Sequence, residues 1–160
     1  MSRVFIDMDG TIADFYGVKG WKSTFIHRNA WTPEIMSAFF TGLRPLLSNF
    51  ELRKYTERYS EVIICSMTPW DAPREIQDAV ANAKVRWIEK HFPDFTNIII
   101  LPYKDNKNDL NGAIYNNYEG YLEITWTDHL IDDNPKFLLS FNGSAEMPPW
   151  IEDFYWMNDL

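Results

Sequence analysis

The chain has a single cysteine among its 160 residues, which excludes an internal disulfide and suits a reducing compartment. That residue, Cys65, stands in the run Val62-Ile63-Ile64-Cys65, so it is expected to be packed in a strand rather than reactive. Long apolar runs are missing as well. None approaches membrane-spanning length, and Met1-Ser2-Arg3 leads straight into a short apolar stretch with no signal-peptide pattern. We therefore expect a soluble, cytoplasmic protein with no membrane partner. Positive charge is scarce: 15 Lys+Arg against 23 Asp+Glu give a net charge of −8, whereas a polynucleotide backbone demands a basic surface. A small anion held through a metal ion fits that balance. No internal repeat or low-complexity tract stands out.

What the chain has is hydrophobic mass. Hydrophobic residues make up 46% and aromatic residues 16%, including seven Trp, the composition of a folded chain with a core. The length suits one domain with a small insertion rather than two full domains. Apolar runs at Val4–Ile6, Glu61–Ser66, Asn97–Leu101 and His129–Ile131 read as strands. Helical spacing recurs over Ile35–Leu43, Leu46–Tyr59 and Ala72–His91. Thr32-Pro33 marks a helix start, and Leu47, Phe50, Leu52 and Tyr55 are expected to face the core. Trp21 to Ala30 shows no period; Tyr103 to Gly120 reads as a long loop or irregular hairpin, Glu119 to Trp126 as a further strand. One more short strand and a terminal helix are expected in the remainder. Strands alternating with helices predict an α/β fold, a Rossmann-like parallel sheet flanked by helices, with a helical cap inserted after the first strand at about residues 16–45.

The stretch Val4-Phe5-Ile6-Asp7-Met8-Asp9-Gly10-Thr11 organises the chemistry. In extended chain residues i and i+2 project the same way, so Asp7 and Asp9 face together. Two neighbouring carboxylates persist where a cation lies between them or where one is protonated. Ser66 and the pair Asp132-Asp133 likewise follow strands. In parallel α/β sheets ligands bind beyond the carboxyl ends of the strands, so these groups can meet at one place. Lys84, inside the long helix, is either a solvated lysine or a cation turned towards the Asp7 carboxylate. Adjacent strand residues diverge, so one of Asp132 and Asp133 is expected to ligate a metal while the other supports it.

Taken in order, Asp7-Met8-Asp9-Gly10-Thr11, Ser66, Lys84 and Asp132-Asp133 resemble the four motifs of the haloacid dehalogenase-like phosphatases. Within that superfamily, Ala13-Asp14-Phe15, Lys84-Val85-Arg86-Trp87-Ile88-Glu89-Lys90-His91-Phe92 and Leu130-Ile131-Asp132-Asp133-Asn134-Pro135 look like the corresponding stretches of the 5′(3′)-deoxyribonucleotidases. The resemblance implies Asp7 as a nucleophile that becomes an aspartyl phosphate, and Asp9 as general acid and then base. It implies Mg²⁺ bound by the Asp7 carboxylate, the Asp9 carbonyl and the side chain of Asp133 in preference to Asp132. Ser66 and Lys84 would hold the phosphoryl oxygens, Phe15 would stack on a base, and Lys104 is a further phosphate candidate. Met67-Thr68 stands where Ser-Pro is usual and Asn134 where Arg is usual, which bears on nucleotide preference more than on the chemistry. Trp21, Trp31, Phe39 and Phe40 form either a base-stacking cap or simply the core of the insertion. The expected activity is Mg²⁺-dependent removal of phosphate from deoxyribonucleoside monophosphates, and a homodimer is compatible with it. The alternatives are a phosphatase of another small phosphorylated metabolite, or a nucleotide-binding protein of the same fold without turnover.

Overall fold

The computed structural model describes residues 2–69 and 71–151. Its elements run β1 (Arg3–Ile6), α1 (Trp21–Ile26), a 3₁₀ turn (Arg28–Ala30), α2 (Pro33–Thr41), α3 (Asn49–Thr56), β2 (Glu61–Met67), α4 (Arg74–His91), β3 (Ile98–Leu101), β4 (Tyr115–Asn116), β5 (His129–Ile131), α5 (Pro135–Ser140) and β6 (Ser144–Glu146). The six strands form one sheet in the order β4-β3-β2-β1-β5-β6. All pairings are parallel except β3 with β4. The fold is α/β with a Rossmann-like sheet flanked by helices, as the alternation of elements predicts. Among the described residues no helix is long and apolar enough to cross a membrane.

Alternation along the strands divides the core between the two faces of the sheet. Val4, Ile6, Ile64, Ile98 and Ile100 pack on one side with α2 and α4, while Phe5, Ile63, Cys65, Ile99 and Leu101 pack on the other with Leu110, Tyr118 and Phe137. α2 begins where Thr32 accepts a hydrogen bond from the Ile35 N–H at 3.1 Å, with Pro33 in the first turn. It lies against α4 and buries Met36 and Phe40 completely or nearly so. The insertion is thus anchored by one helix, whereas α1 and the 3₁₀ turn bury none of their residues. That is why Trp21 to Ala30 carries no apolar period.

Three expectations change. α3 starts at Asn49 rather than Leu46, because Ser48 and Glu51 close a reciprocal capping box and the Leu46 N–H is held by the Ile12 carbonyl. Its buried residues are Leu52 and Thr56, and Phe50 and Tyr55 face outward at 65% and 40% exposure. The segment from Glu119 to Trp126 is not a strand. Its Tyr121 and Glu123 carbonyls turn to the Arg3 guanidinium, leaving one isolated bridge between Asp109 and Glu123. The antiparallel edge comes instead from β4, inside the stretch read as a long loop or irregular hairpin. The expected short strand is β6; the terminal helix falls, from residue 152 on, outside the described residues.

Arg3 also forms a two-toothed ion pair with Asp128, 2.9 and 2.7 Å, and both side chains are nearly removed from water. Removing one partner of such a pair strands the other charge. Asp128→Ala is expected to lower unfolding free energy by about 3–5 kcal/mol, read from the urea midpoint at unchanged slope; a loss within experimental error would show that the clamp is dispensable.

Candidate active site

The chain leaves β1 still hydrogen-bonded to β5, with the Asp7 N–H on the Ile131 carbonyl at 3.0 Å. It then turns tightly: the N–H groups of Thr11, Ile12 and Ala13 all converge on the Met8 carbonyl. Met8 goes down into the core while Asp7 and Asp9 project to the other side. Gly10 makes the turn with φ 79°, and a Cβ there would collide with Asp133 Oδ2 and Tyr16 Cε2. Only glycine satisfies both the backbone and the space.

Two buried lysines meet the carboxylates. Lys84 arrives from α4 and gives its three N–H groups to Asp9 Oδ2 (2.7 Å), Ser66 Oγ (2.8 Å) and the Met67 carbonyl (2.7 Å). Lys107, from the segment after β3, donates to Asp7 Oδ1 (2.8 Å), Asp132 Oδ2 (2.7 Å) and the Cys65 carbonyl (3.1 Å). Each ammonium is therefore fully satisfied and fixed. Ser66 accepts from Lys84, so its own hydroxyl proton is available to another acceptor. Thr11 Oγ1 lies 3.2 Å from Asp7 Oδ2 and 3.1 Å from Asp133 Oδ1, tying the first strand's end to the fifth's.

Asp132 has both oxygens engaged, one by Lys107 and the other by the Asn134 N–H at 2.9 Å. Asp133 accepts from the Thr11 hydroxyl and lies beside the Asp7 and Asp132 carboxylates. One carboxylate oxygen from each of Asp7, Asp132 and Asp133 falls within 4.8 Å of the others. Four acids outnumber two ammonium ions, and the excess has to be offset by a divalent cation or by bound protons. The donors are hard oxygens, suited to such an ion.

The protonation preferences follow from this crowding. At Asp7 burial opposes ionisation, but Lys107 and the hydrogen bonds from Asp133 and Lys107 outweigh it and hold the carboxyl below its usual range. Burial raises Asp9 in spite of Lys84, and the Asp7 charge adds to the rise. Burial and the Asp7 charge push Asp132 up to about 7 and Asp133 well above the ordinary value. Burial opposes the charge on Lys107, yet Asp132 and Asp7 hold it protonated. Two buried oxygens, Asp9 Oδ1 and Thr68 Oγ1, find no hydrogen-bond partner among the described residues; such atoms are costly unless something else meets them.

Above this floor is a cavity of about 440 Å³, walled by Phe15, Tyr16, Phe25, Trp31 and Phe40 and reached by Thr68, Tyr103 and Asn134. Its size is that of small-molecule sites. Phe15 lies at the centre of the aromatic wall, with Tyr16, Trp21, Phe25 and Phe39 rings 5.0 to 5.4 Å away.

Asp7, Asp9, Ser66, Lys84, Asp132 and Asp133 thus come together, with Phe15 beside them. Lys104 does not join them: it is half-buried, its ammonium held by the Asp109 and Asn111 carbonyls at 3.0 and 2.9 Å. Lys107, three residues on, takes the place that sequence reasoning gave it. Lys84 reaches Asp9 instead of Asp7, because Lys107 already occupies the Asp7 side. Thr11, the last residue of the Asp7–Thr11 stretch, joins them through its hydroxyl; Phe25 was missed, since it lies on no periodic pattern that marks it. No protein-family model matches the chain, and no curated protein shows significant similarity to it.

If the acid triad takes up a divalent cation, folding and binding are linked. Mg²⁺ at 100 times its dissociation constant is expected to add about 2.7 kcal/mol to wild-type stability, measured as a rise in melting temperature reversed by chelator. Asp133→Asn is expected to melt higher than wild type in chelator, having lost a buried acid, and to gain nothing from Mg²⁺. A wild-type protein indifferent to Mg²⁺ would overturn this.

Proposed function

We propose that this chain is a Mg²⁺-dependent phosphomonoesterase working through an aspartyl-phosphate intermediate, the chemistry that its likeness to the haloacid dehalogenase-like phosphatases implies. The observation that carries the reading is the opposed bias of two neighbouring acids on the floor of one cavity: Asp7 is held ionised by Lys107 and Asp9 is pushed towards the neutral form. A nucleophile and a proton donor need that division of labour.

An oxygen of Asp7 attacks phosphorus, the bond from phosphorus to the ester oxygen breaks, and the leaving oxygen takes a proton from Asp9. Asp9 Oδ2 is engaged by Lys84, which fixes the carboxyl at the floor of the cavity. Asp9, now ionised, takes a proton from water as the water oxygen attacks phosphorus, and the bond from phosphorus to Asp7 breaks to free inorganic phosphate. Ser66 directs its hydroxyl proton at a phosphoryl oxygen, and Lys84 supplies positive charge from behind it. Asp7, Asp133 and the Asp9 carbonyl would hold Mg²⁺, which supplies further neutralisation of the phosphoryl charge when bound. Asp132 is left to fix Lys107.

The aromatic wall around Phe15 favours a substrate with a planar ring, and the likeness to the deoxyribonucleotidases makes deoxyribonucleoside monophosphates the leading class. Intact Asp7 and Asp9 argue against a protein that only binds. The lone buried Cys65 suits a cytoplasmic setting.

Phosphate release from deoxyribonucleotides, ribonucleotides and sugar phosphates, with Mg²⁺ and with chelator, tests the reading. Mg²⁺-dependent release favouring the deoxy compounds is expected; release from sugar phosphates alone would move the substrate, and none would remove the enzyme. Asp7→Asn is expected to abolish turnover in a folded protein. Asp9→Asn should lower kcat/KM for nucleotides by about 10²–10⁴-fold and kcat/KM for p-nitrophenyl phosphate less, because nitrophenolate leaves without a proton and the later activation of water does not enter kcat/KM; an equal loss of kcat/KM on both would refute its role as acid.

A further inference from the structure

The loop that carries Asp7, Asp9 and Thr11 is held from outside by a residue near the end of the described chain. The Trp150 indole N–H donates to the Thr11 carbonyl at 2.7 Å. Thr11 is fully buried, and among the described residues its carbonyl accepts no other hydrogen bond. Its hydroxyl, on the same residue, bridges Asp7 and Asp133. Trp150 is itself only half-buried and rests on Tyr55 of α3, with ring centroids 5.2 Å apart. A rigid aromatic donor thus fixes the peptide whose side chain sets the spacing of two metal-binding acids.

We propose that Trp150 is a positioning residue of the active site, setting the separation of the Asp7 and Asp133 carboxylates, and so divalent-cation affinity, through Thr11. Without the indole donor the Thr11 carbonyl is buried and unpaired, so the Thr11–Ile12 peptide tilts to find a partner and takes the bridging hydroxyl with it. Partners one step behind metal ligands characteristically influence affinity in this way. The inference rests on the metal-dependent phosphatase reading, but its first readout does not need turnover.

Trp150→Phe keeps a ring on Tyr55 and deletes only the donor. Mg²⁺ titrated calorimetrically without substrate is expected to bind about tenfold more weakly to this variant, and the Mg²⁺ concentration for half-maximal rate should rise in step. At saturating Mg²⁺ the substrate KM should be unchanged. Tyr55→Leu, which removes the ring contact and leaves the indole N–H in place, is expected to lower the melting temperature with Mg²⁺ affinity unchanged. Unaltered Mg²⁺ affinity in Trp150→Phe, or an equal fall in Tyr55→Leu, would overturn the proposal. In ¹⁵N-tryptophan-labelled wild type, independent of any variant's folding, the Trp150 indole signal should shift on adding Mg²⁺; a signal that stays put would also overturn it. If Mg²⁺ binds the wild type and no phosphate is released, the phosphatase reading falls while the role of Trp150 is still decided by affinity.

Discussion

Charge crowding at the carboxyl ends of β1 and β5 is the constraint on which the rest of the structure depends. Asp7, Asp9, Asp132 and Asp133 are brought together by adjacent parallel strands, and their mutual repulsion has to be offset before the sheet can close. Lys84 and Lys107 do this from opposite sides, each with three acceptors. A buried ammonium with complete hydrogen bonding is tolerable where a partly bonded one is not. The surrounding elements can be understood as supports for that arrangement. α4 exists at a length and angle that bring Lys84 under Asp9, and the segment after β3 folds back so that Lys107 reaches between two strands.

The same crowding separates the acids into roles. Asp132 is fully hydrogen-bonded and closed off, Asp133 is open on one side, Asp7 is kept charged by Lys107, and Asp9 is drawn towards neutrality by burial. Four chemically equal side chains become four different groups because their neighbours differ. Gly10 is what allows it, since any side chain there would push Asp133 away from Asp7.

The strand ends were legible in the sequence because apolar runs that stop at carboxylates or hydroxyls identify both the element and the direction in which its last residues point. Ser66, Asp132 and Asp133 were found that way, whereas Lys84, whose place in a helix fits a solvated lysine equally well, was marked by the resemblance to the haloacid dehalogenase-like phosphatases. Thr32-Pro33 declared the start of α2 through local chemistry, and Ser48-x-x-Glu51 carried an equally local signal that places the start of α3. Lys107 was not legible. It lies in an aperiodic stretch where Lys104 offers the same functional group, and only the path of the chain after β3 decides which one turns inward. The outward direction of Phe50 and Tyr55 escaped for a similar reason: Leu47, Phe50, Leu52 and Tyr55 do not share one helical face, and the capping box, not the hydrophobic count, sets the rotation. The false strand at Glu119 to Trp126 shows a tertiary contact overriding local preference, the Arg3 guanidinium having taken the carbonyls that a neighbouring strand would need.

The insertion after β1 is divided in its energetics. α2 is built into the core through Met36 and Phe40, whereas α1 and the 3₁₀ turn bury none of their residues yet supply Phe25 and Arg28 to the cavity, beside Trp31 just after them. The residues that shape the outer wall are therefore not the ones that hold the domain together. Single substitutions along Trp21–Ala30 can reshape the cavity while the sheet, the lysines and the acids stay as they are, so the wall and the floor are free to evolve at different rates.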